Sequence, residues 1–436
     1  MTHSWGRKAR YILFVSLMPL LVHLQAGMLA PCLPAILAEF HISPDKHALA
    51  GFFVSVYALG MGLGAMVMGA VSQVWGRKGT GDFARVAFAA CTWACSIAGG
   101  GVTLVVYRFV AGVFGACVVA GAPGVLEDLF VGRRRTGVLA VYTCFQVLAL
   151  GMGTFYGAAM EGKMGWRQMF WVHGFVATVL AVIVLVDLRE TYGPVLLERR
   201  AARLRRDEGN ELLRSRLDTR RTAGEAIHQN LRAPFRLLGN PACGGFAALA
   251  GAADGCLYVA LVTMDEIMRR AFGDSIRRWF LLGFPVGCVL GLLVALVADY
   301  SSEFPSRSRF LVRLAFSTLT VVAGLLMYGW APERDVESTA SLLVNGFLGI
   351  GAGCTYIGWR IRQAATRTFV DNSPSALTVI TAVKGVVAAG LVPYSMVLYG
   401  VLGLGWGSTI LALSLIMVNS CVAPFLRKDE FPVWRS

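Results

Sequence analysis

Runs of apolar residues long enough to cross a bilayer recur along this chain and dictate what it can fold into. The first, Tyr11 to Leu37, reads YILFVSLMPLLVHLQAGMLAPCLPAIL, and the second, Leu49 to Trp75, reads LAGFFVSVYALGMGLGAMVMGAVSQVW. A helix rises about 1.5 Å per residue, so about twenty residues traverse a hydrocarbon core about 30 Å thick. Inside lipid every backbone N–H and C=O needs a partner within the segment, which makes such runs helical. The chain is therefore expected to be an all-α, multi-pass membrane protein, and its function concerns what crosses or gates the membrane.

About twelve such spans are predicted, at 11–37, 48–75, 83–102, 104–128, 137–161, 167–188, 241–267, 277–300, 308–331, 338–360, 375–401 and 403–425. One long polar stretch, Arg189 to Asn240, divides them. The expected layout is an N-terminal six-helix bundle at 1–188, a linker at 189–240 and a C-terminal six-helix bundle at 241–436. Within the linker, LLERRAARLRRDEGNELLRSRL is rich in strong helix formers. It reads as a helix, either solvated or with its basic face on the inner leaflet.

Charge placement orients the spans. Charged residues make up 15% of the chain and hydrophobic ones 56%, where a soluble protein carries about 25% charge. The net charge of +14 sits in alternate turns: Arg77, Lys78 and Arg85, then Arg133 to Arg135, then Arg199 to Arg206. Later come Arg307, Arg309 and Arg313, then Arg360, Arg362 and Arg367, then Arg427 and Lys428. Basic residues in short loops mark the cytoplasmic side. Both termini and the linker are thus expected in the cytoplasm, with the chain in the cell membrane. Arg269, Arg270, Arg277 and Arg278 are a local exception. This distribution gives the positive charge a role in topology and lipid contact, not in nucleic-acid binding. Arg7, Lys8 and Arg10 precede the first run, but that run is too long for a signal peptide.

The chemistry of an enzyme or a metal centre is not evident. The ten cysteines are scattered, without a CxxC pair or a Cys/His spacing, and no HExxH is found. No cofactor is expected. Nor is there a ring of charges or a repeated filter segment that would suit a channel.

Short motifs fall at defined places among the spans. After the second span comes GAVSQVWGRK, Gly69 to Lys78; the fourth carries RFVAGVFGA from Arg108. The fifth holds the small residues Gly153 and Gly157, and WRQMFW (166–171) opens the sixth. RETYGPVLLERRAARLRR, APFRLLGNP and the set Pro393, Tyr399, Leu402, Gly403 and Trp406 follow. This ordered set resembles the major facilitator superfamily, and within it the fungal twelve-span drug:proton antiporters. The resemblance covers nearly the whole chain. It implies a major facilitator fold and a gating segment made of Gly69, Gln73, Gly76, Arg77 and Lys78, in which Arg77 and Lys78 latch the two halves. It implies that Arg108 tunes protonation of a nearby acid, and that Gly153 and Gly157 let helices pack closely. Two departures stand out: Gln73 replaces the acidic residue of that segment, and Thr154 the proline of the antiporter motif.

Ionisable residues inside apolar runs are costly and mark function or pairing. Asp254 lies about 20 Å into the seventh span and Lys384 about 14 Å into the eleventh, so their depths are similar. They are expected to pair, in a structural, substrate-binding or proton-carrying role. His23, in the first span, is either a hydrogen-bonded packing residue or a titrating group. Spans one, four, seven and ten are expected to line a central cavity, with Phe14, Tyr258 and Tyr356 as apolar and aromatic surface. Proton or substrate contacts would fall to Arg108, Asp254, Tyr258 and Lys384. The resulting expectation is a monomeric secondary transporter exporting an amphipathic small molecule, such as a drug, toxin or secondary metabolite, by alternating access in exchange for protons. A polyamine exporter and a non-transporting relative are the alternatives, and membrane lipid is the remaining partner.

Overall fold

The computed structural model of the 436-residue chain describes residues 5–43, 47–130, 133–188, 190, 193–208, 223–300, 307–331 and 336–425. The first span is built from α1 (Trp5–Gly27), a 3₁₀ turn (Ala30–Cys32) and α2 (Leu33–Glu39). Pro31 and Pro34 each open one of these later pieces. Proline suits such a position because the first N–H groups of a helix have no partner to lose. Next come α3 (His47–Trp75), α4 (Arg77–Ser96), α5 (Gly101–Leu129), α6 (Arg133–Met164) and α7 (Trp166–Asp187). Two linker helices follow, α8 (Gly193–Glu208) and α9 (Ala223–Leu238). The second bundle holds α10 (Pro241–Phe280), α11 (Gly283–Tyr300), α12 (Arg307–Trp330), α13 (Val336–Thr368) and α14 (Ser373–Phe425). Gly403 breaks α14 into two limbs, so the described residues supply six long helical limbs in each bundle, nine of the helices being long and apolar enough to cross a membrane.

The two bundles repeat one packing plan. In the first, α1 lies on α6, α3 on α5, α4 on α5 and α4 on α7. In the second, α10 lies on the first limb of α14, α11 on α13, α12 on α13 and α12 on the second limb of α14. These are the same pairs, shifted by six spans. Large side chains fill the interior, among them Tyr57, Phe88, Phe170, Phe284, Phe310 and Phe347. Val102, Phe316, Val401 and Met417 stand exposed on the periphery, as side chains facing lipid do.

The bundles meet along α3 and α14, and again along α6 and α11. Small residues make the first seam. Gly62 faces Ala382 and Gly385, and Gly51 faces Pro393 and Met396. Ser55 Oγ donates to the carbonyl of Ala389 at 3.5 Å. At the second seam Gly151 lies against Pro285. Without a hydrophobic drive between helices in lipid, close backbone approach of this kind supplies the association.

The third span differs from expectation. It begins at Arg77 instead of residue 83 and ends at Ser96. Gly76, with φ 90° and ψ 162°, turns the chain in a single residue, so Arg77, Lys78, Asp82 and Arg85 form the first turns of a helix instead of a loop. Only glycine adopts that backbone region without strain. The gating segment is accordingly the end of α3, Gly76, and the start of α4. The eighth span starts at Gly283, not 277, and α10 runs on to Phe280 with a reversal at Gly273. The linker contains α9, which was not expected as helix, while α8 covers the first part of the expected one. Leu212 and Leu213 lie outside the described residues.

Candidate functional site

The ends of α1, α4 and α7 share one face of the first bundle, tied by charge. Arg10 and Asp187 pair at 3.6 Å, and the Tyr11 hydroxyl donates to the carbonyl of Asp187 at 3.1 Å. Lys78 donates its backbone N–H to Glu190 Oε2 at 3.1 Å and its Nζ to the Leu185 carbonyl at 2.9 Å. It also pairs with Asp82 at 3.0 Å, and Asp82 pairs with Arg85 as well. A carboxylate at the first turn of a helix meets unbonded N–H groups and the positive end of the helix dipole. Arg77 lays its guanidinium against Gly124 of α5, and Gly69 stands 3.7 Å from Thr378 of α14, measured from where a Cβ would sit. The sequence had Arg77 and Lys78 latching the two halves. Here Lys78 ties α4 to the end of α7 within its own bundle, and Arg77 packs on α5. The side chain of Gln73 lies outside the described residues.

In the second bundle the equivalent place holds an acid. Asp299 at the end of α11 accepts from Trp359 Nε1 at 2.8 Å and Gln363 Nε2 at 2.6 Å, and pairs with Arg360. Arg360 is almost wholly enclosed. Asp299 stands four residues after Ala295, as Gln73 stands four after Gly69. Sequence reading passed over both Glu190 and Asp299. Comparing the two halves span by span would have revealed Asp299.

The deeper site lies between the bundles. Asp254 on α10 and Lys384 on α14 pair at 2.9 Å, Oδ1 to Nζ, with 23% and 32% of their side chains exposed. Lys384 adjoins Gly385, which touches Ala58 and Gly62 of α3, so the pair sits beside the seam. His23 of α1 is within electrostatic reach of both partners. Its Nδ1–H donates to the Pro19 carbonyl at 2.9 Å. His23 is thus hydrogen-bonded, the first of the two roles foreseen for it, and lies within electrostatic reach of the pair.

One turn beyond Asp254, Tyr258 is buried and within electrostatic reach of both Asp254 and Arg108. Arg108, on α5 of the first bundle, is completely buried. Its Nη2 donates to the Val54 carbonyl at 3.4 Å, and its guanidinium carbon stands 5.3 Å from the centre of the Tyr57 ring. Such a contact lets an aromatic face offset part of a cation's lost hydration. The Tyr57 hydroxyl is spent on the Val22 carbonyl, at 2.8 Å. Arg108 Nε and Nη1 have no hydrogen-bond partner among the described residues.

Gly153 and Gly157 pack on α1. Gly153 meets the backbone at Leu24 and Gly27, and Gly157 the backbone at Met28, too closely for any side chain. Thr154 turns its hydroxyl to the Gly151 carbonyl at 2.8 Å. Tyr356 is buried in α13. Phe14 is not with the ion pair: it lines a separate small cavity with Met18, Ser72, Arg77 and Arg85.

Two six-span bundles related by a repeat, with facing charges at membrane depth on their shared seam, define a multi-pass membrane transporter of the two-bundle kind. Residues 15–362 match the family model for the Major Facilitator Superfamily, and the chain belongs to that family. An MFS-type transporter of Aspergillus flavipes, tndD, is 30% identical over 413 residues, covering 91% of this chain and 76% of that one. The efflux pump radE of Floropilus chiversii is 28% identical, covering 94% and 77%. The MFS-type transporter penM of Penicillium rubens is 27% identical, covering 96% and 84%. Among solved structures, the inward-open xylose transporter XylE from E. coli is similar in fold, with a TM-score of 0.69 at 15% identity over 97% of this chain and 96% of that one.

Proposed function

We propose that this protein exports an amphipathic small molecule by alternating access, exchanging it for protons. The observation that carries the reading is the Asp254 and Lys384 pair, held at 2.9 Å beside the seam with His23 of the opposite bundle in electrostatic reach. A carboxylate at membrane depth that gives up its partner must take a proton or another cation. Rocking of one bundle against the other changes what surrounds the pair, which couples proton loading to the side that is open. Membership of the Major Facilitator Superfamily and the transporter relatives tndD and penM support transport, and the likeness to the efflux pump radE supports the outward direction. The aromatic and apolar neighbours Tyr57 and Tyr258 suit a ring-bearing substrate. In this reading the protein acts as a monomer in the cell membrane, with the termini and the linker in the cytoplasm.

The test is export by the full chain in sealed proteoliposomes under an imposed pH gradient, scored over a panel of amphipathic dyes and secondary metabolites. Uptake against the gradient with simultaneous proton movement is expected for at least one compound. Downhill movement without protons would make it a facilitator, and no movement of any compound would remove the reading. Reporter tags at Thr2, Arg221 and Ser436 are expected on the cytoplasmic side.

A further inference from the structure

Around Tyr258 the described charges nearest the pair are one acid, Asp254, and two bases, Lys384 and Arg108. Asp254 is already engaged by Lys384. Arg108 is a second cation, completely enclosed, and its electrostatic neighbours are Cys95, Tyr57, Tyr258 and Cys32, none of them a carboxylate. Two of its donor nitrogens, Nε and Nη1, have no hydrogen-bond partner among the described residues, although each points from a planar fork built to hold two oxygens. A buried cation with unused donors is expensive to keep unless something of opposite charge visits it. Arg108 stands about 10 Å into α5 from Gly101, at membrane depth. Tyr258 of the other bundle is within electrostatic reach of both Arg108 and Asp254.

The geometry points to an anionic substrate: an amphipathic organic acid whose carboxylate, or equally acidic enol or phenol oxygen, is received by Arg108 when α10 and Tyr258 move away from α5. This rests on the export reading above and names the substrate class of that site. A polyamine would meet Arg108 and Lys384 as like charges. The ring-bearing part of the acid would lie against Tyr57 and Tyr258. The excess positive charge then discriminates acids from their cationic analogues, because a like charge in a low-dielectric site is rejected more strongly than a poor fit.

The test uses two dyes of one xanthene scaffold and opposite charge, fluorescein and rhodamine 6G. Binding to the purified full chain is followed by fluorescence anisotropy, and uptake into proteoliposomes in parallel. The expected result is that fluorescein binds about tenfold more tightly than rhodamine 6G, and that Arg108→Gln removes most of that preference. Arg108→Lys, which keeps the charge but loses the fork, is expected to preserve the order of the two dyes with weaker fluorescein binding. Absence of fluorescein binding, tighter binding of rhodamine 6G, or an Arg108→Gln variant that weakens both dyes equally overturns the inference. Should Arg108→Gln not fold, the order of the dyes on the unaltered chain and on Arg108→Lys decides. Proton-driven uptake of rhodamine 6G without fluorescein would leave export standing and remove only the charge preference.

Discussion

Asp254 and Lys384 belong to different helices of one bundle, yet their pair is bordered by His23 of the other bundle. Removing one partner of a buried pair leaves an uncompensated charge, at a cost of about 3–5 kcal/mol when the site is dry. Here the side chains keep 23% and 32% exposure, so the cost falls below that range. Asp254→Asn and Lys384→Met are each expected to lower the yield of folded protein, and the double variant to recover part of it. Thermal unfolding of the three purified variants measures this. Additive losses would mean that the two groups do not stabilise each other.

The seam between α3 and α14 has no room for a larger residue. A carbon added at Gly385 would overlap the Ala58 carbonyl oxygen, and the backbone of Gly62 lies alongside. Gly385→Val is expected to push the bundles apart and to destabilise by about 1–3 kcal/mol, the usual cost of overpacking. A melting temperature unchanged in detergent would show that the bundles do not approach this closely in solution.

Glu190 caps the first turn of α4 through Lys78 and is almost wholly enclosed. Glu190→Ala leaves the Lys78 N–H without its acceptor; a buried group would lose about 1–3 kcal/mol, and this half-buried one is expected at or below the low end of that range. Glu190→Gln keeps an acceptor oxygen and is expected to behave much closer to the natural chain. Limited proteolysis near the start of α8 reads the loosening. Equal behaviour of the two variants would mean that the charge, not the hydrogen bond, holds the two helix ends together.

At Gly403 the chain reverses with φ 77° and ψ 169°. Nothing lies within 4 Å of where a Cβ would be, so a side chain meets strain but no clash. Gly403→Ala is therefore expected to cost about 1–3 kcal/mol from the backbone alone. The same substitution at Gly390, which also has open space but lies within helical α14, serves as the control and is expected to be neutral or slightly stabilising.

The fold was legible because hydrocarbon thickness fixes span length, and the Arg-rich turns punctuate it. The third span was misplaced for a related reason. Arg77, Lys78, Asp82 and Arg85 lower its hydropathy, yet they form helix: Glu190 and Asp82 engage Lys78, and Asp82 engages Arg85. In the site, Asp254 and Lys384 stood out as charges inside apolar runs, and similar depth suggested their pairing. Arg108 was visible as a motif residue, but its burial against Tyr57 and Val54 depends on helices far apart in sequence. Asp299 was hidden because it ends a span, where acids are ordinary; only Trp359, Arg360 and Gln363 around it give it meaning.

Gly76 and Gly403 each join two spanning limbs through a single residue. A joint of that length carries no slack: the limbs it connects cannot slide or splay independently without tearing hydrogen bonds from their last turns. Each joint therefore holds its two limbs as one unit, α3 with α4 in the first bundle and the two limbs of α14 in the second. For protein engineering this means that lengthening either glycine joint would uncouple the two limbs it connects, so insertions and split points belong away from Gly76 and Gly403.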